Sequence, residues 1–471
     1  MNPKMYYIIG IICLLIAGVL AVDAYQKYTR EALAIELTNK AIPIVTDAIA
    51  NDNMTEYKEA EALLKKAISL DPNYPWAWYN LANVYINQDH FHHYDKFPFH
   101  TYAQDGVPQD TKYYNEGIYC IHKFMELLPE AKPLGYERIG DANYFYYDSY
   151  VDRKEKVLPN YFKALDGVDV IREYGGKGGV AALYANIART YLAMGEFPKS
   201  LYYYNISVNI HPEGPAYEHY IWAYIINAEF ANPKYFEDGY KYGHKFIDDL
   251  GIKGHWSIDL GMMPTAVSAY ELGKYDEVVD LCNKIINDYP DSPYVGEAHR
   301  YIAMVDMKRG DKEDAIKHLL ENVKFSTAMT PEGGDDYPGD IPVGYYERGL
   351  AYYYLGEVTG NKSYYEKALH DFNYLATYWN VSDRSIAHEN YYFLGTEMAA
   401  FTSAKLGNQT LAIKYAKQGV DELKLKHWYE RVQLPGWSKC FGNWSEKIYE
   451  LAKEGKLNET PLPTFLYQIE H

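Results

Sequence analysis

Between residues 57 and 85 the apolar positions follow a helical period that stops once and restarts. Tyr57, Ala60, Leu64, Ala67 and Ile68 recur at intervals of three and four, which places them on one face of an α-helix. Pro72 ends that helix, because a proline cannot continue the hydrogen-bond ladder. Trp78, Leu81, Ala82 and Tyr85 then resume the same spacing, so the pattern predicts two antiparallel helices over 57–72 and 77–85. The double pattern returns at 184–212 through Ile187, Ala188, Tyr191, Gly195, Phe197, Ser200, Tyr204, Ser207 and Pro212. It recurs at 270–290 (Gly273, Tyr275, Val278, Cys282, Ile285, Pro290) and at 299–323 (Ile302, Ala303, Gly310, Ala315, Leu319). Degenerate copies carry Tyr365, Ala368 and Phe372, then Leu394, Gly395, Ala412 and Gly419, with weaker pairs over 113–170 and 216–250.

A small residue at fixed positions lets two helices approach closely, and a large one fills the gap to the next pair. In this respect the chain resembles the tetratricopeptide repeat family, whose copies recur about every 34 residues. The resemblance covers most of residues 30–425 and implies an all-α superhelix of roughly seven to nine helix pairs. Residues 426–471 are expected to supply a capping helix and tail.

Residues 6–22, YYIIGIICLLIAGVLAV, carry no charge and would span roughly 25 Å as a helix. Residues 1–29 therefore read as a retained transmembrane anchor or as a signal segment cleaved after 19–21 or 22–24. Charge does not orient it, since Lys4 precedes the run and Lys27 and Arg30 follow it. Asn-x-Ser/Thr triplets occur at Asn53, Asn205, Asn361, Asn380, Asn408, Asn443 and Asn458, where chance gives roughly two. That excess favours a glycosylated body outside the cytoplasm, membrane-anchored or, if the leader is cleaved, secreted. The competing explanation is that asparagine and serine collect at helix ends.

Composition narrows the partner. A formal charge of −18 argues against nucleic acid, which needs a basic surface. The 52 tyrosines, against 16 phenylalanines, suit broad half-exposed packing surfaces. Cys13, Cys120, Cys282 and Cys440 are far apart and form neither a zinc signature nor a disulfide scaffold; Cys120 and Cys282 are expected in the core. YGGKGG (174–179) lacks the phosphate-loop spacing and reads as a linker. PEGGDDYPGD (331–340) gathers Glu332, Asp335, Asp336 and Asp340 either for calcium or as a solvated loop. No HExxH or GxSxG occurs, and no cofactor is expected.

The run QDHFHHYDKFPFH (88–100) holds four of the 15 histidines. It opens an insertion over 88–112 where a short helix connection is expected. His90, His92, His93, Asp95 and His100 are candidate metal ligands; a partner-binding loop and a cap over the array are the other readings. Arrays of this family present a groove lined by first helices. By register with Trp78 the groove candidates are Trp76, Tyr79, Asn83, Ile86 and Asn87, with Ala185, Arg189 and Leu192 in the later copy. Tyr79 stands where the family's carboxylate-binding members place a lysine. The resemblance thus implies a non-catalytic scaffold for a protein or peptide partner, with a glycan as a further option for a Tyr/Trp/Asn surface. Two alternatives remain at this stage: a self-assembling glycosylated surface-layer or filament subunit, and an enzyme of sugar or peptide chemistry with a metal site in the 88–100 loop.

Overall fold

A computed structural model describes residues 3–51, 54–92, 112–147, 150–212, 220–221, 223–225, 228, 233–249, 258–334, 340–378, 386–423, 437–460 and 462. Every regular element among them is helical. The described residues gather into two compact units.

The first unit contains α1 (Pro3–Asn51), α2 (Met54–Leu70), α3 (Pro75–His92), α4 (Lys112–Leu127) and α5 (Lys132–Tyr146). The C-terminal half of α1 buries Ala34, Thr38, Ala41, Val45 and Ala48, a stripe of mostly small residues at helical spacing. Three alanines, Ala34, Ala67 and Ala77, meet where α1, α2 and α3 converge, with Leu37, Ile68, Leu70 and Tyr74 packed around them. Tyr57, Ala60, Leu64 and Ala67 are fully buried on α2, and Leu81, Ala82 and Tyr85 are buried on α3. Chain entry to α3 is set by the turn 71–74, where Asp71 accepts from the Asn73 backbone N–H at 3.0 Å. Helix α1 runs through residue 29 without interruption. Ahead of the packed stripe Leu15, Ile16, Val19, Leu20 and Val22 face solvent, Leu15 being 64% and Val19 69% exposed. Among the described residues no helix is long and apolar enough to cross a membrane.

The second unit begins at Tyr147 with a π-helical turn, Arg153–Val157, leading into α6 (Leu158–Asp166). It continues through α7 (Val168–Ala193), α8 (Phe197–Ile210), α9 (Tyr235–Asp249), α10 (Ile258–Glu271), α11 (Tyr275–Asp288), α12 (Val295–Arg309) and α13 (Lys312–Ala328). It closes with α14 (Asp340–Thr359), α15 (Lys362–Tyr378), α16 (Ile386–Lys405), α17 (Gln409–Leu423) and α18 (Trp437–Lys453). From α9 onward consecutive helices pack as hairpins, as do α7 and α8, and α10, α12, α14, α16 and α18 also touch in series. The glycine-rich run 174–179 lies within α7, which kinks at Gly176. Gly310 ends α12 at φ 85, a left-handed conformation that a side chain would disfavour.

The two helices of a hairpin do different work. Inner helices are buried on nearly every side: each residue from Val295 to Asp306 on α12 except the half-exposed His299 is buried, as is each from Leu394 to Ala404 on α16. Outer helices such as α11 bury a single stripe, Val278, Leu281, Cys282 and Ile285. Such close packing requires glycine where a ring or backbone crosses. A methyl added at Gly349 on α14 would lie 2.6 Å from Phe372 Cε1 on α15. At Gly395 on α16 it would meet Leu375 Cβ at 2.5 Å and the Ala376 backbone nitrogen at 3.0 Å. Cys120 and Cys282 are buried free thiols.

Buried charge accompanies this packing. Arg300 on α12, 1% exposed, donates from Nε and Nη2 to both carboxylate oxygens of Glu347 on α14 at 3.0 and 3.3 Å. Its Nη2 also donates to Glu297 Oε1 at 3.1 Å. Arg348 on α14 grips Asp371 on α15 in the same bidentate way, at 2.8 and 2.9 Å. Among the described residues no cation pairs with Glu397 on α16: Ser445 Oγ on α18 donates to it at 2.9 Å, and burial pushes its carboxyl up to about 8.

Gly395→Ala is expected to lower unfolding free energy by about 1–3 kcal/mol in urea titration, because Leu375 and the Ala376 backbone cannot both retreat. An unchanged midpoint would show that α15 and α16 do not approach this closely. Glu397 makes a second prediction. The folded chain holds a proton there that the unfolded chain releases near 4.5, so the site's contribution is full below that pH and is lost as pH rises to about 8. Glu397→Gln should therefore flatten the decline of stability across that window by about 1.4 kcal/mol per pH unit. A variant with the wild-type slope would mean that the carboxyl ionises in its ordinary range.

Candidate binding surface

Trp76, Tyr79, Asn83 and Asn87 lie three or four residues apart on α3 and share one stripe of it. All four are half-buried, whereas neighbouring Ile86 is fully committed to the core. Phe124 from α4 organises the rings. The Trp76 ring stands 5.5 Å from it and 5.6 Å from Tyr79 in an edge arrangement, and Tyr79 lies 4.9 Å from Phe124. The rings thus have fixed orientations and still present one side to solvent.

Polar groups from α5 complete the surface. Arg138 Nε donates to the Tyr79 hydroxyl at 3.1 Å, and its Nη1 donates to Asp141 Oδ2 at 2.7 Å. Burial raises the Tyr79 hydroxyl pKa, against the pull of Arg138. Burial also pushes the Glu137 carboxyl up to about 7, opposed by Arg138 and reinforced by Asp141. Asn83 Oδ1 is buried and has no hydrogen-bond partner among the described residues. Asn87 Nδ2 donates to the Asn83 carbonyl at 2.8 Å, which holds this stripe in register. Two oriented rings, an amide acceptor and a guanidinium suit an extended polypeptide, with its alternating side chains and backbone donors.

The α5 contribution was missed from sequence because the copy over 113–170 is weak. The available signal was register: Tyr136, Ile139 and Gly140 repeat the spacing of Trp78, Leu81 and Ala82. That alignment sets Glu137 and Asp141 at the positions of Tyr79 and Asn83. Arg189 belongs to the second unit, half-buried on α7.

The remaining candidates are scattered. Asn361 Oδ1 accepts from the Ser363 N–H at 3.0 Å, and Asn408 Oδ1 from the Leu411 N–H at 3.0 Å, so each caps a helix start. Asn205 is exposed within α8, where its Oδ1 accepts from the Tyr220 hydroxyl at 3.1 Å. Asn458 is exposed beyond α18, at the rim of a cleft of about 420 Å³ lined also by Tyr270, Tyr353 and Tyr354. Asn53, Asn380 and the Asn443 side chain lie outside the described residues. So do His93, Asp95, His100 and the side chains of His90 and His92, although α3 extends to His92. Among the described residues no group of three or more His, Cys, Asp or Glu could hold a metal ion. Glu332 of the acidic 331–340 run is engaged elsewhere, accepting from the Tyr345 hydroxyl at 2.9 Å and facing Arg348 at 3.5 Å.

Comparison with known proteins places these helices. A TPR repeat model matches residues 56–89, and a tetratricopeptide repeat model matches residues 265–292. No curated protein matches the chain. Among solved structures, the apo form of RapI is similar at a TM-score of 0.52 and 13% identity, covering 82% of this chain and 97% of that one. A tetratricopeptide repeat protein from Parabacteroides merdae ATCC 43184 shares 13% identity at a TM-score of 0.39, over 68% of this chain and 98% of that one. A human IFIT1 dimer with m7Gppp-AAAA shares 11% identity at a TM-score of 0.37, over 80% of this chain and 70% of that one. The RapI likeness speaks to the fold alone, and the other two carry no further argument. With two matched repeats and hairpins stacked in series, the chain carries tetratricopeptide repeats in an all-helical, solenoid-type fold.

Proposed function

We propose that the chain is a non-catalytic scaffold whose α3–α5 face binds an extended peptide segment of a partner protein. The observation that carries this reading is the Trp76–Tyr79–Phe124 cluster beside Arg138, Asp141 and the buried, unpartnered Asn83 oxygen. Rings held in place lose little entropy on binding, and a peptide N–H would supply the hydrogen bond that Asn83 Oδ1 lacks within the described chain. Glu137 and Asp141 favour a ligand with basic or neutral side chains over an acidic one, and the overall charge of −18 favours it as well.

The scaffold is held at a membrane by α1. Leu15, Ile16, Val19, Leu20 and Val22 are exposed ahead of the segment that packs on α2, and a bilayer would cover them. With the excess of Asn-x-Ser/Thr triplets, the body belongs outside the cytoplasm, carrying glycan on some exposed asparagines.

Screening the purified chain against a random peptide array should yield ligands enriched in basic and apolar residues. Trp76→Ala and Asn83→Leu should each weaken the best hit by about ten-fold or more, the loss expected of a central contact. Peptides held equally well by both variants would remove the α3–α5 face from consideration. For the anchor, the expressed full chain should co-float with liposomes, and Val19→Arg together with Leu20→Arg should release it. A wild-type chain left at the bottom of the gradient with α1 intact would sink the membrane reading.

A further inference from the structure

A pair of histidines on the hairpin of α12 and α13 is not used by the surface described above. His299 and His318 bring their Nδ1 atoms to 2.9 Å, with ring centroids 5.2 Å apart and planes tilted by 38°. Both histidines are partly exposed. We propose that these two nitrogens form a surface seat for a divalent transition metal that favours right-angled coordination, Cu2+ or Ni2+.

Geometry selects the ion. With metal–nitrogen bonds of about 2.05 Å, two nitrogens 2.9 Å apart subtend about 90° at the metal. A tetrahedral zinc ion would spread the same nitrogens to about 3.3 Å. Right angles are the cis positions of square-planar or octahedral sites, which Cu2+ and Ni2+ prefer. No third His, Cys, Asp or Glu among the described residues converges with the pair, so water or an incoming side chain fills the remaining positions.

The surroundings suit a cation. Burial lowers both imidazole pKa values, His299 to about 4, so neither ring holds an extra proton at neutral pH, and metal binding asks only that the ring donating its Nδ1–H shift that proton to Nε2. Asp306, only 8% exposed, has a carboxylate oxygen without a hydrogen-bond partner among the described residues, and His318 is its strongest charged neighbour. Asp314 acts on His318 and Glu321 on both rings, each favouring positive charge. Lys317 opposes it at both rings and Lys324 at His299, although Lys324 Nζ lies 3.5 Å from Glu321. Acid therefore outweighs base at His318, while at His299 two lysines face one glutamate.

The test titrates the full chain with Cu2+ and compares it with His299→Gln and His318→Gln. Wild type should bind one Cu2+ more than either variant, or bind it at least ten-fold more tightly, and Zn2+ should compete poorly. Copper should also raise the Tm of wild type more than that of the variants, since the ion would tie two helices that unfolding separates. On the unmodified chain, ascorbate with Cu2+ should place 2-oxo-histidine at His299 or His318 in peptide mass maps, a readout that survives if a variant fails to fold. Equal copper binding by all three chains, or oxidation confined to other histidines, would reduce the pair to an imidazole–imidazole hydrogen bond.

Discussion

Everything in this molecule depends on how closely two helices of a hairpin can approach. Where Gly349 faces Phe372, or Gly395 faces Leu375 and the Ala376 backbone, no room remains for a single methyl group. Ala34, Ala67 and Ala77 serve the same end in the first unit. Close approach lets one helix of each pair disappear from solvent, and that leaves the other helix to make the outer surface. The inner helices therefore lack a polar face, while the outer ones keep one.

Burial of whole helices has an electrostatic cost, met by pairing. Arg300 and Arg348 are out of water, and each is matched by a carboxylate from a neighbouring helix with two hydrogen bonds. Among the described residues Glu397 is met by neutral donors, Ser445 and Trp444, which do not offset its burial, and its raised pKa follows from that difference. The tyrosines solve a similar problem with less charge. Tyr85, Tyr204, Tyr301 and Tyr353 bury their rings nearly completely, and such a ring can fill a gap while its hydroxyl seeks a partner.

The hairpin framework was legible in the sequence because its rule is local. Ala60, Leu64, Ala67 and Tyr85 sit in the core at the positions their spacing requires, and Cys282 lies buried on α11 as its register implies. The binding face was only half legible. Trp76, Tyr79, Asn83 and Asn87 followed from the register of α3, but Arg138 and Asp141 come from a copy whose signature has decayed. The histidine pair was invisible for another reason: His299 and His318 are 19 residues apart, and only the packing of α12 against α13 joins them. Spacing along a chain reports what shares a helix face, and it says little about which faces then meet. The asparagine triplets show the converse, since Asn361 and Asn408 have capping duties that any helix start of this kind would favour.

Repeat arrays commonly gain or shed a hairpin, because each one touches only its neighbours. The grip of Arg300 on Glu347 makes the stretch from α12 to α14 an exception. Excising α12 with α13 would leave Glu347 without its cation in the interior, and excising α13 with α14 would take Arg348 from Asp371. A lineage could lengthen or shorten this array elsewhere, but these helices have to be copied, moved and inherited as one block.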